Sequence, residues 1–559
     1  MKMLAERFEK PNRFALLTGG AVLLLLMFLR RADALLYPSV WSEDGVLVLP
    51  NLILDGMAGL FTPVNGYMIL SSKIISGLAL LFGIQFYPII SSLFALLFSF
   101  CCVMAVWLCP TNLKHKFFCA LGCILIPTDP ECFGTPLYSF WWSGLLLILL
   151  VLWNADGDRL WLRVSLLLLA GFSSPLIVGL APFFLARAIF LRYSKHSKQE
   201  IIIGVAAMGI AAIQFWFILQ QKSGGVLDIN MIIQNTIPKF LGGFVVWPIF
   251  KDSALSTSLQ WIASILLVAI FVKINKKWSI WLLALILVYG LMVALSVARV
   301  SPQILHPVLA GPRYFFYPFI ILFWLFLYSY HNSNSWNRLL PVLVCCIAAL
   351  GSMFSWDRHH ADIHWQKHIE TAQLFESYPM PVSTDGKLHT NWRSEIYQGS
   401  AIPWKTQLRN KNLSQLKTFP FKRAGSSVSE IKNDAGYSKI ISNTISGADF
   451  EKSKFDGVMV SGTFVKSDQD TGNIEVKMKK GDRLLFRTGP FQKDNWAKIE
   501  VLGQEALFYN LIPTGCLDWT VLEFSNKNLP PEFIVRLSDN GTEFGEWLAV
   551  GTPIEKNAK

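Results

Sequence analysis

Two adjacent carboxylates, Glu43 and Asp44, follow the first long apolar stretch of the chain. A carboxylate placed beside a substrate hydroxyl can take its proton while the oxygen attacks an electrophilic carbon. Two neighbouring carboxylates also interact, so one of them titrates at a higher pH than the other. The surrounding letters, SEDG, are good turn residues as well. Taken alone, the pair is explained as well by a solvated turn as by general-base chemistry.

Further ionisable side chains stand at the predicted ends of apolar segments, on the same side of the membrane as this pair. They are Lys73, Glu131, Arg299, His306 and Arg313. A transporter more typically places such groups near the bilayer midplane, at broken helices in matching positions of two repeats. Here the groups lie together at helix ends on one side of the membrane. This position favours a substrate whose tail lies in lipid and whose head lies in water.

The elements that carry these residues are predicted to be membrane helices. The chain has 559 residues, of which 53% are apolar, and its mean hydropathy is +0.42, which is typical of a polytopic membrane protein. A basic segment precedes apolar residues 14–29, and Arg30, Arg31 and Asp33 stand where a signal-peptide cleavage site would need small residues. We therefore predict a retained first helix with a cytoplasmic N-terminus.

Ten further spans are predicted from apolar runs, which makes eleven with the first. They lie at residues 87–109, 117–127, 138–153, 160–173, 175–191, 201–220, 256–272, 278–298, 314–330 and 339–355. The runs at 117–127 and 160–173 are short for a bilayer that needs about 20 apolar residues.

The apolar stretch 67–82 decides the topology, because counting it as a span would invert every later loop. When it lies along the outer surface as a juxtamembrane helix, the inner segments before residue 356 hold 16 basic and 5 acidic residues, and the outer segments hold 8 of each. Basic residues concentrate on the cytoplasmic side of membrane proteins. This asymmetry sets the predicted orientation and explains the net charge of +12, so we predict no nucleic-acid partner.

The chain after residue 355 is of mixed polarity, with 26 basic and 25 acidic residues, and is long enough for one soluble domain. Apolar and charged residues alternate in 474–478 and again in 533–537, which is typical of half-buried strands. Short runs of this kind between turn residues predict a β-sandwich. The predicted domains are a transmembrane domain at 1–355 with an outer loop at 37–86, a juxtamembrane helix and irregular connection at 356–450, and a periplasmic β-sandwich at 451–559.

Nine cysteines form no disulfide framework, because seven lie within or beside apolar spans; a bridge between Cys132 and Cys516 is the alternative. His360, His364 and His368 share one face of a predicted helix, as zinc ligands do. A solvated helix face explains them too, since no cysteine or acidic partner stands at ligand spacing. We predict no metal site, and the sequence contains neither a nucleotide-binding glycine motif nor a hydrolase motif.

Four segments of the chain resemble the bacterial branch of the type C (GT-C) glycosyltransferases. These polytopic enzymes use polyprenyl-phosphate-linked sugars, and the branch includes phage-type O-antigen glucosyltransferases. The segments are PSVWSEDGVLVLPNLILDG from residue 38, VNGYMILSSKII from residue 64, PTDPECFGT from residue 127 and AGPRYFFYP from residue 310. The resemblance covers roughly residues 14–330. It depends on the order and spacing of these segments and on their predicted position on the same side of the membrane.

The resemblance implies roles for the charged residues. An acidic residue of the first outer loop is the base in such enzymes, which here is Asp44 with Glu43 orienting, or the reverse. Polyprenyl phosphate leaves as an anion, so the site needs a cation. Arg313 is the first candidate because a guanidinium binds phosphate bidentately, and Arg299 and Lys73 follow. The ordinary alternative for Arg313 is a side chain that reaches the lipid headgroups from a helix end.

Glu131 stands where the second outer loop of these enzymes often carries an acidic residue. By resemblance it binds the sugar or helps to hold a divalent ion, and the alternative is that it caps the helix that begins near Pro136. Tyr67, Trp141 and Tyr314 are candidates for stacking on sugar rings, although aromatic belts are common at membrane interfaces.

The sequence therefore predicts an inverting glycosyltransferase of the bacterial inner membrane. By this resemblance we expect it to transfer a hexose, glucose first, from undecaprenyl phosphate to an O-antigen or another surface polysaccharide on the outer face. The expected partners are the lipid-linked sugar, the glycan acceptor, the bilayer, a flippase and a polyprenyl-phosphate glucosyl synthase. No cofactor is expected to be obligatory. Whether the protein binds a divalent cation is a separate question that the sequence leaves open. The alternative is a flippase or transporter of lipid-linked saccharides that performs no chemistry.

Overall fold

The computed structural model describes most of the helical part of the chain and a set of strands near its C-terminus. The described residues are 11–41, 43–154, 159–220, 236–250, 256–276, 278–300, 305–308, 311–333, 337–353, 355–356, 365–366, 369, 377–384, 387–397, 431–433, 437–440, 458–461, 472–488, 497–503, 508–510, 520–524, 529–540 and 548–551. The chain forms two compact units, one of residues 1–36, 61–75 and 91–358 and the other of residues 37–60, 76–90 and 359–559. The domain boundaries at 355 and 450 remain predictions.

The helices follow the apolar runs of the sequence. Within the described ranges the α-helices are α1 (Arg13–Arg30), α2 (Asp33–Leu36), α3 (Leu49–Asp55), α4 (Leu70–Leu80), α5 (Tyr87–Leu108), α6 (Lys116–Ile124), α7 (Ser139–Val151), α8 (Leu160–Gly171), α9 (Leu176–Phe190), α10 (Ser197–Leu219), α11 (Gly243–Val246), α12 (Ser256–Ile274), α13 (Ile280–Arg299), α14 (Phe316–Asn332) and α15 (Leu339–Met353). Each predicted span overlaps one of these helices.

Six helical stretches in the described part of the chain have the length and apolar composition to cross a membrane. They are Arg13–Arg30, Ile84–Leu108, Ser197–Leu219, Ser256–Ile274, Ile280–Ala298 and Pro312–Asn332. These helices confirm the prediction of a polytopic helical membrane protein. The number of eleven spans, the inner membrane and the orientation of the termini remain predictions.

The span predicted at 117–127 is wrong as a continuous helix. Helix α6 has nine residues and ends at Ile124, and at 1.5 Å per residue it is about 14 Å long. A hydrocarbon core is about 30 Å thick. Residues 125–128 continue the chain without helical structure, so their carbonyl groups need partners from elsewhere in the protein.

Arg30 provides those partners from the last residue of α1. The side chain is 0% exposed, and its guanidinium donates hydrogen bonds to the carbonyl oxygens of Ile124, Ile126 and Thr128. The ring of Phe133 covers the guanidinium at 4.6 Å. A single planar guanidinium with several N–H donors thus satisfies three carbonyls of one short segment. Irregular backbone in an apolar helix bundle is tolerated when other parts of the protein provide hydrogen-bond partners for its polar groups.

Further hydrogen bonds fix the segment that follows. Arg31 donates to the Pro130 carbonyl at 3.2 Å, and the Ser355 hydroxyl donates to the Thr128 carbonyl at 3.0 Å. The backbone amide of Asp129 donates to the Pro307 carbonyl at 2.8 Å. Residues 128–130 are therefore held by three separate parts of the chain, and Glu131 comes next.

Helix α4 is more buried than a helix lying on the membrane surface. Its eleven residues are too few to span a bilayer, as predicted. However, the Leu70 amide donates to the Phe172 carbonyl at 3.2 Å, and the Ser71 amide donates to the Ser173 hydroxyl at 2.8 Å. The Ser143 hydroxyl donates to the Ser71 hydroxyl at 2.9 Å. The first turn of α4 is thus bound to the neighbouring helices, and its predicted position along the outer membrane surface remains a prediction.

A buried ion cluster joins the apolar helices α8, α9 and α10. Arg163 of α8 contacts Glu200 of α10 at 2.8 Å, and both side chains are 1% exposed. Arg187 of α9 contacts the same carboxylate at 3.0 Å and donates to the Val151 carbonyl at 2.9 Å. One carboxylate thus neutralises cations from two neighbouring helices and ties α8, α9 and α10 together.

The described strands of the C-terminal part form antiparallel sheets. The strands are β1 (Ser377–Thr384), β2 (Lys387–Tyr397), β3 (Ile431–Asn433), β4 (Tyr437–Ile440), β5 (Val458–Ser461), β6 (Gly472–Lys479), β7 (Arg483–Thr488), β8 (Ala497–Val501), β9 (Phe508–Asn510), β10 (Thr520–Glu523), β11 (Glu532–Asp539) and β12 (Leu548–Gly551). β1 pairs with β2, and the two five-stranded sheets have the orders β10-β7-β12-β5-β4 and β3-β6-β11-β8-β9.

The alternation predicted at 474–478 and 533–537 is confirmed in β6 and β11. Val476 pairs with Val535 and Met478 pairs with Phe533, and all four side chains are buried. The β-sandwich, its periplasmic location and its limits remain predictions.

We predict that replacing Arg30 destabilises the helical unit. Arg30→Met leaves three buried carbonyls without their donor, and each buried acceptor left without a partner typically costs about 1–3 kcal/mol. Unfolding of purified protein in mixed micelles measures the change. Arg13→Gln is the matched control, because Arg13 is an exposed arginine at the opposite end of α1. An Arg30→Met variant that unfolds like the control would contradict this role.

Candidate functional site

Glu131 and Arg313, which are far apart in sequence, form an ion pair in the first compact unit. The Arg313 Nη1 lies 2.6 Å from the Glu131 Oε1. Tyr138 joins them, because its hydroxyl donates to Glu131 Oε1 at 2.9 Å and accepts from Arg313 Nη1 at 3.1 Å. A carboxylate oxygen that accepts two hydrogen bonds, one of them charge-assisted, is held firmly.

Glu131 lies in a 3₁₀ turn, Pro130–Cys132, that follows the segment fixed by Arg30. The Asp129 carboxylate begins this turn by accepting the Glu131 amide at 2.8 Å. The Trp142 indole donates to the Cys132 carbonyl at 2.8 Å and closes the turn on α7. Because side chains rather than the amides of α7 bind the Glu131 carboxylate, the predicted alternative of a helix cap is wrong.

Arg313 lies in a 3₁₀ turn, Pro312–Phe315, that leads into α14. Gly311 precedes the turn with a φ of +64°, a conformation that suits glycine. The Ser296 hydroxyl donates to the Tyr314 carbonyl at 2.8 Å. Phe315 stacks on Phe240 with ring centroids 4.5 Å apart. The turn is thus anchored on both sides of Arg313.

The two members of the pair differ in exposure. The Glu131 side chain is 6% exposed and the Arg313 side chain is 28% exposed. The carboxylate therefore lies beneath the guanidinium, and the accessible part of the pair is cationic. A ligand that reaches this position meets the planar face and edge of Arg313, which favours an anion such as a phosphate.

Aromatic rings surround the pair. The Arg313 guanidinium lies 5.4 Å from the ring centroids of both Tyr138 and Tyr314. Trp141 packs edge-on against Tyr314 at 5.9 Å, and the Tyr317 hydroxyl donates to the Trp141 carbonyl at 2.7 Å. This wall contains two of the predicted aromatic residues, Trp141 and Tyr314. The third, Tyr67, packs against Phe140 at 5.7 Å.

Three buried polar atoms, one of Glu131 and two in the first turn of α7, have no hydrogen-bond partner among the described residues. They are Glu131 Oε2, Ser139 Oγ and Trp141 Nε1. Burying such a group without a partner costs about 1–3 kcal/mol, and buried orphans of this kind are rare. Glu131 Oε2 is an acceptor, Trp141 Nε1 is a donor, and the Ser139 hydroxyl can be either. A ligand rich in hydroxyl groups satisfies this combination.

The other ionisable residues named from the sequence, Lys73, His306 and Arg299, have different surroundings. Lys73 is 0% exposed, and its ammonium donates to the Thr62 carbonyl, so it holds the chain before α4. His306 accepts the Val308 amide at 3.1 Å and packs against Trp247 at 4.6 Å. Arg299 is the last residue of α13, and its side chain lies outside the described part of the structure. The phosphate-binding roles of Lys73 and Arg299 remain predictions.

Glu43 and Asp44 belong to the second compact unit. Glu43 is half-buried and Asp44 is 1% exposed. Asp44 begins a π-helical turn, Asp44–Val48, and its carbonyl accepts the amide of Leu49. Its carboxylate is close enough to Tyr87 for an electrostatic interaction. A solvated turn is therefore excluded for Asp44, whereas its role as a base remains a prediction.

Tyr138 is the member of the cluster that the sequence did not indicate. It precedes α7 and lies seven residues after Glu131. The two are separated by an irregular loop, to which neither the helical nor the strand period applies. A tyrosine at a predicted membrane interface is also common without any specific role.

Metal and cysteine chemistry have little support in the described residues. Among them, no three histidine, cysteine, aspartate or glutamate side chains are grouped closely enough to hold a metal ion. Burial raises the pKa of the Cys132 thiol well above its usual range, and Glu131 adds to this effect. Cys132 is a free thiol, and Cys516, His360, His364 and His368 lie outside the described residues.

The comparisons with known proteins give little support. No protein-family model and no curated protein matches the sequence. A solved structure, arabinosyltransferase EmbB from Mycobacterium smegmatis, matches with a TM-score of 0.30 and 11% identity, over 99% of this chain and 66% of that chain. A likeness this weak establishes neither fold nor function. What the structure itself defines is a polytopic helical membrane protein with a buried, aromatic-lined ion pair.

We predict that the two members of the pair contribute unequally to stability. Arg313→Gln leaves the more buried Glu131 carboxylate without its cation, which typically costs about 3–5 kcal/mol. Glu131→Gln leaves the more exposed Arg313 guanidinium, and we expect a smaller loss. The double variant should be more stable than the sum of the single losses implies. Chemical unfolding in mixed micelles measures all three.

The control for this cycle is an exposed ion pair of the strand region. Lys477 and Glu532 are 42% and 54% exposed and lie 3.6 Å apart. Lys477→Gln should change stability by less than about 1 kcal/mol. A different result would be that the two single variants lose equal amounts of stability and the double variant loses the sum of both. That result would show that the pair is not a coupled unit.

Proposed function

We propose that the protein is a glycosyltransferase that moves a sugar from a polyprenyl phosphate to a glycan hydroxyl. In this reaction the acceptor oxygen forms a bond to the anomeric carbon as the bond from that carbon to the phosphate oxygen breaks. A base takes the hydroxyl proton, and the phosphate leaves with the electron pair as an anion. A single displacement of this kind inverts the anomeric configuration.

One observation supports the proposal more than any other. The Arg313 side chain is 28% exposed, while Glu131 Oε2 of the same ion pair and two atoms in the first turn of α7, Ser139 Oγ and Trp141 Nε1, are buried without partners among the described residues. A cation next to unfilled donors and acceptors, lined by aromatic rings, has the chemistry needed for a phosphate joined to a sugar. Cation and hydroxyl-binding groups close together would have no such use in a protein that binds only a lipid tail.

The proposal assigns separate roles to the charged residues. Arg313 binds the phosphate and stabilises the charge that develops on it, while Glu131 orients Arg313 and accepts a hydrogen bond from a sugar hydroxyl. Trp141 donates to a second hydroxyl, and Tyr314 faces the ring. Asp44, which is 1% exposed, is the base, as the resemblance to the GT-C enzymes implies.

The finer features of the proposal come from the sequence. The donor is an undecaprenyl-phosphate hexose, glucose first, and the acceptor is an O-antigen or another surface polysaccharide on the outer face of the cytoplasmic membrane. A flippase would deliver the donor, and a polyprenyl-phosphate glucosyl synthase would make it. A divalent cation is not required in this scheme, since arginine alone can neutralise a phosphate.

Reconstitution tests the function directly. Purified protein in vesicles, supplied with polyprenyl-phosphate glucose and a membrane-extracted glycan acceptor, should yield a glycan with one added hexose of inverted configuration, detected by mass spectrometry and NMR. Vesicles that move the lipid-linked sugar between leaflets but form no product would instead identify a flippase. Formation of product from a nucleotide sugar alone would contradict the lipid-linked donor.

We predict that Asp44→Asn lowers kcat by about 10²–10⁴, the usual contribution of a general base, with little change in donor KM. Glu43→Gln should have a smaller effect. Asp55→Asn is the matched control, because Asp55 is an exposed aspartate on α3 of the same loop and should leave kcat unchanged. If Glu43→Gln abolishes turnover while Asp44→Asn does not, the two roles are reversed; if neither changes turnover, the base lies elsewhere.

We also predict that Trp141→Phe raises the donor KM. The substitution keeps an aromatic ring but removes the indole donor, and one hydrogen bond corresponds to about a 2- to 12-fold change in binding. Trp161→Phe is the control, since Trp161 is 80% exposed on α8. An unchanged KM in Trp141→Phe, with Trp161→Phe equally silent, would remove Trp141 from the sugar site.

A further inference from the structure

Residues 64–67 form a tight turn in the first compact unit, which we call the 64–67 turn. The Val64 amide donates to the Tyr67 carbonyl at 2.9 Å, and the Tyr67 amide donates to the Val64 carbonyl at 3.1 Å. Between them, Asn65 and Gly66 have φ angles of +50° and +81°. A type I′ turn needs a positive φ at both central residues, and Asn-Gly is its preferred sequence. The local sequence therefore favours this conformation.

Gln214 of α10 holds the residue that follows the turn. It is 0% exposed in a helix long and apolar enough to cross a membrane. Its Oε1 accepts the Met68 amide at 3.0 Å, and its Nε2 donates to the Met68 carbonyl at 3.2 Å and to the Gly171 carbonyl at 3.0 Å. One side-chain amide thus binds both polar backbone groups of Met68. A polar side chain buried in a membrane helix is costly and often serves a function.

The chain is also fixed on either side of these residues. The Lys73 ammonium donates to the Thr62 carbonyl, two residues before the turn. The Ser72 hydroxyl donates to the Leu137 carbonyl, just before α7. Hydrogen bonds from buried polar groups therefore hold the chain before and after the 64–67 turn, and its last residue, Tyr67, is held with little conformational freedom.

Tyr67 lies at the edge of the aromatic wall described above. Its ring packs 5.7 Å from Phe140, and the Phe140 ring lies 5.5 Å from Trp141 and 6.4 Å from Tyr138. The Tyr138 ring lies 5.4 Å from the Arg313 guanidinium. Tyr67 thus reaches Arg313 through two intervening rings, and it is half-buried, so part of its side chain is accessible to a ligand.

We propose that Gln214 is a positioning residue for the acceptor glycan: by fixing Met68, it holds Tyr67 where the tyrosine ring stacks on the acceptor sugar. This inference rests on the proposed function. There Arg313 binds the phosphate and Trp141 binds the donor sugar, so a ring farther from the guanidinium faces the sugar farther from the phosphate, which is the acceptor. A ring that is already held in place loses little conformational entropy when the sugar binds.

Steady-state kinetics of the reconstituted full-length protein test the proposal, with the glycan acceptor varied in one series and polyprenyl-phosphate glucose in the other. Gln214→Leu removes the hydrogen bonds to Met68 and Gly171. We expect the acceptor KM to rise about 2- to 12-fold, the usual contribution of an aromatic contact, with much smaller changes in kcat and donor KM. Gln220→Leu is the matched control, because Gln220 is exposed at the end of the same helix, and should have no effect.

A conservative variant and a double variant separate positioning from general stability. Gln214→Glu should restore the acceptor KM, because a buried carboxyl group is favoured in its protonated form and then keeps both hydrogen bonds with Met68. Tyr67→Ala should raise the acceptor KM alone, and Gln214→Leu should add nothing further in that background. Additive effects, or equal rises of donor and acceptor KM, would show a merely structural role and overturn the proposal.

A change within the turn keeps the test decisive if Gln214→Leu does not fold. Gly66→Ala places a side chain at a φ of +81°, which is unfavourable for alanine, and should also displace Tyr67 and raise the acceptor KM. Gly209→Ala is the control, because Gly209 lies on α10 with no atom within 4 Å of an added Cβ. An unchanged acceptor KM in Gly66→Ala, in protein that forms product normally, would overturn this inference alone. Wild-type protein that forms no product would contradict the proposed function itself.

Discussion

The structure depends on a simple requirement, which is that backbone carbonyls inside an apolar helix bundle must be hydrogen-bonded. Helix α6 ends at Ile124, and the chain continues through several residues without helical structure. Arg30 supplies the donors that make this tolerable. The stabilised segment leads directly to Glu131. Arg30, which in the sequence is only the last residue of an apolar helix, therefore determines the position of the candidate site.

The Glu131–Arg313 pair has consequences for any phosphate ligand. A cation that already has a carboxylate partner attracts a further anion less strongly than an isolated one, because the pair is nearly neutral at a distance. In return, Arg313 is held in one orientation by Glu131 and Tyr138, so little conformational entropy is lost when the ligand binds. Such a site would select its ligand by geometry more than by charge. It would release a phosphate product more readily than an unpaired arginine would.

Several features could be predicted from the sequence because they depend on local periodicity. Long apolar runs predicted the helices, and alternating residues predicted β6 and β11. The ion pair could not be predicted, since it joins residues 182 positions apart and no local pattern relates them. The early end of α6 was missed because the predicted span followed the apolar residues as far as Pro127, although helices usually end before a proline; the hydrogen bonds from Arg30 then stabilise the irregular backbone. The burial of Lys73 likewise depends on a distant carbonyl rather than on its neighbours in sequence.

A structure of the protein bound to a polyprenyl-phosphate hexose would test the central claim most directly. The account predicts that the phosphate contacts the Arg313 guanidinium. It also predicts that sugar hydroxyls lie within hydrogen-bonding distance of Glu131 Oε2 and Trp141 Nε1. A bound donor whose phosphate and sugar lie elsewhere, with these atoms still lacking partners, would contradict the account.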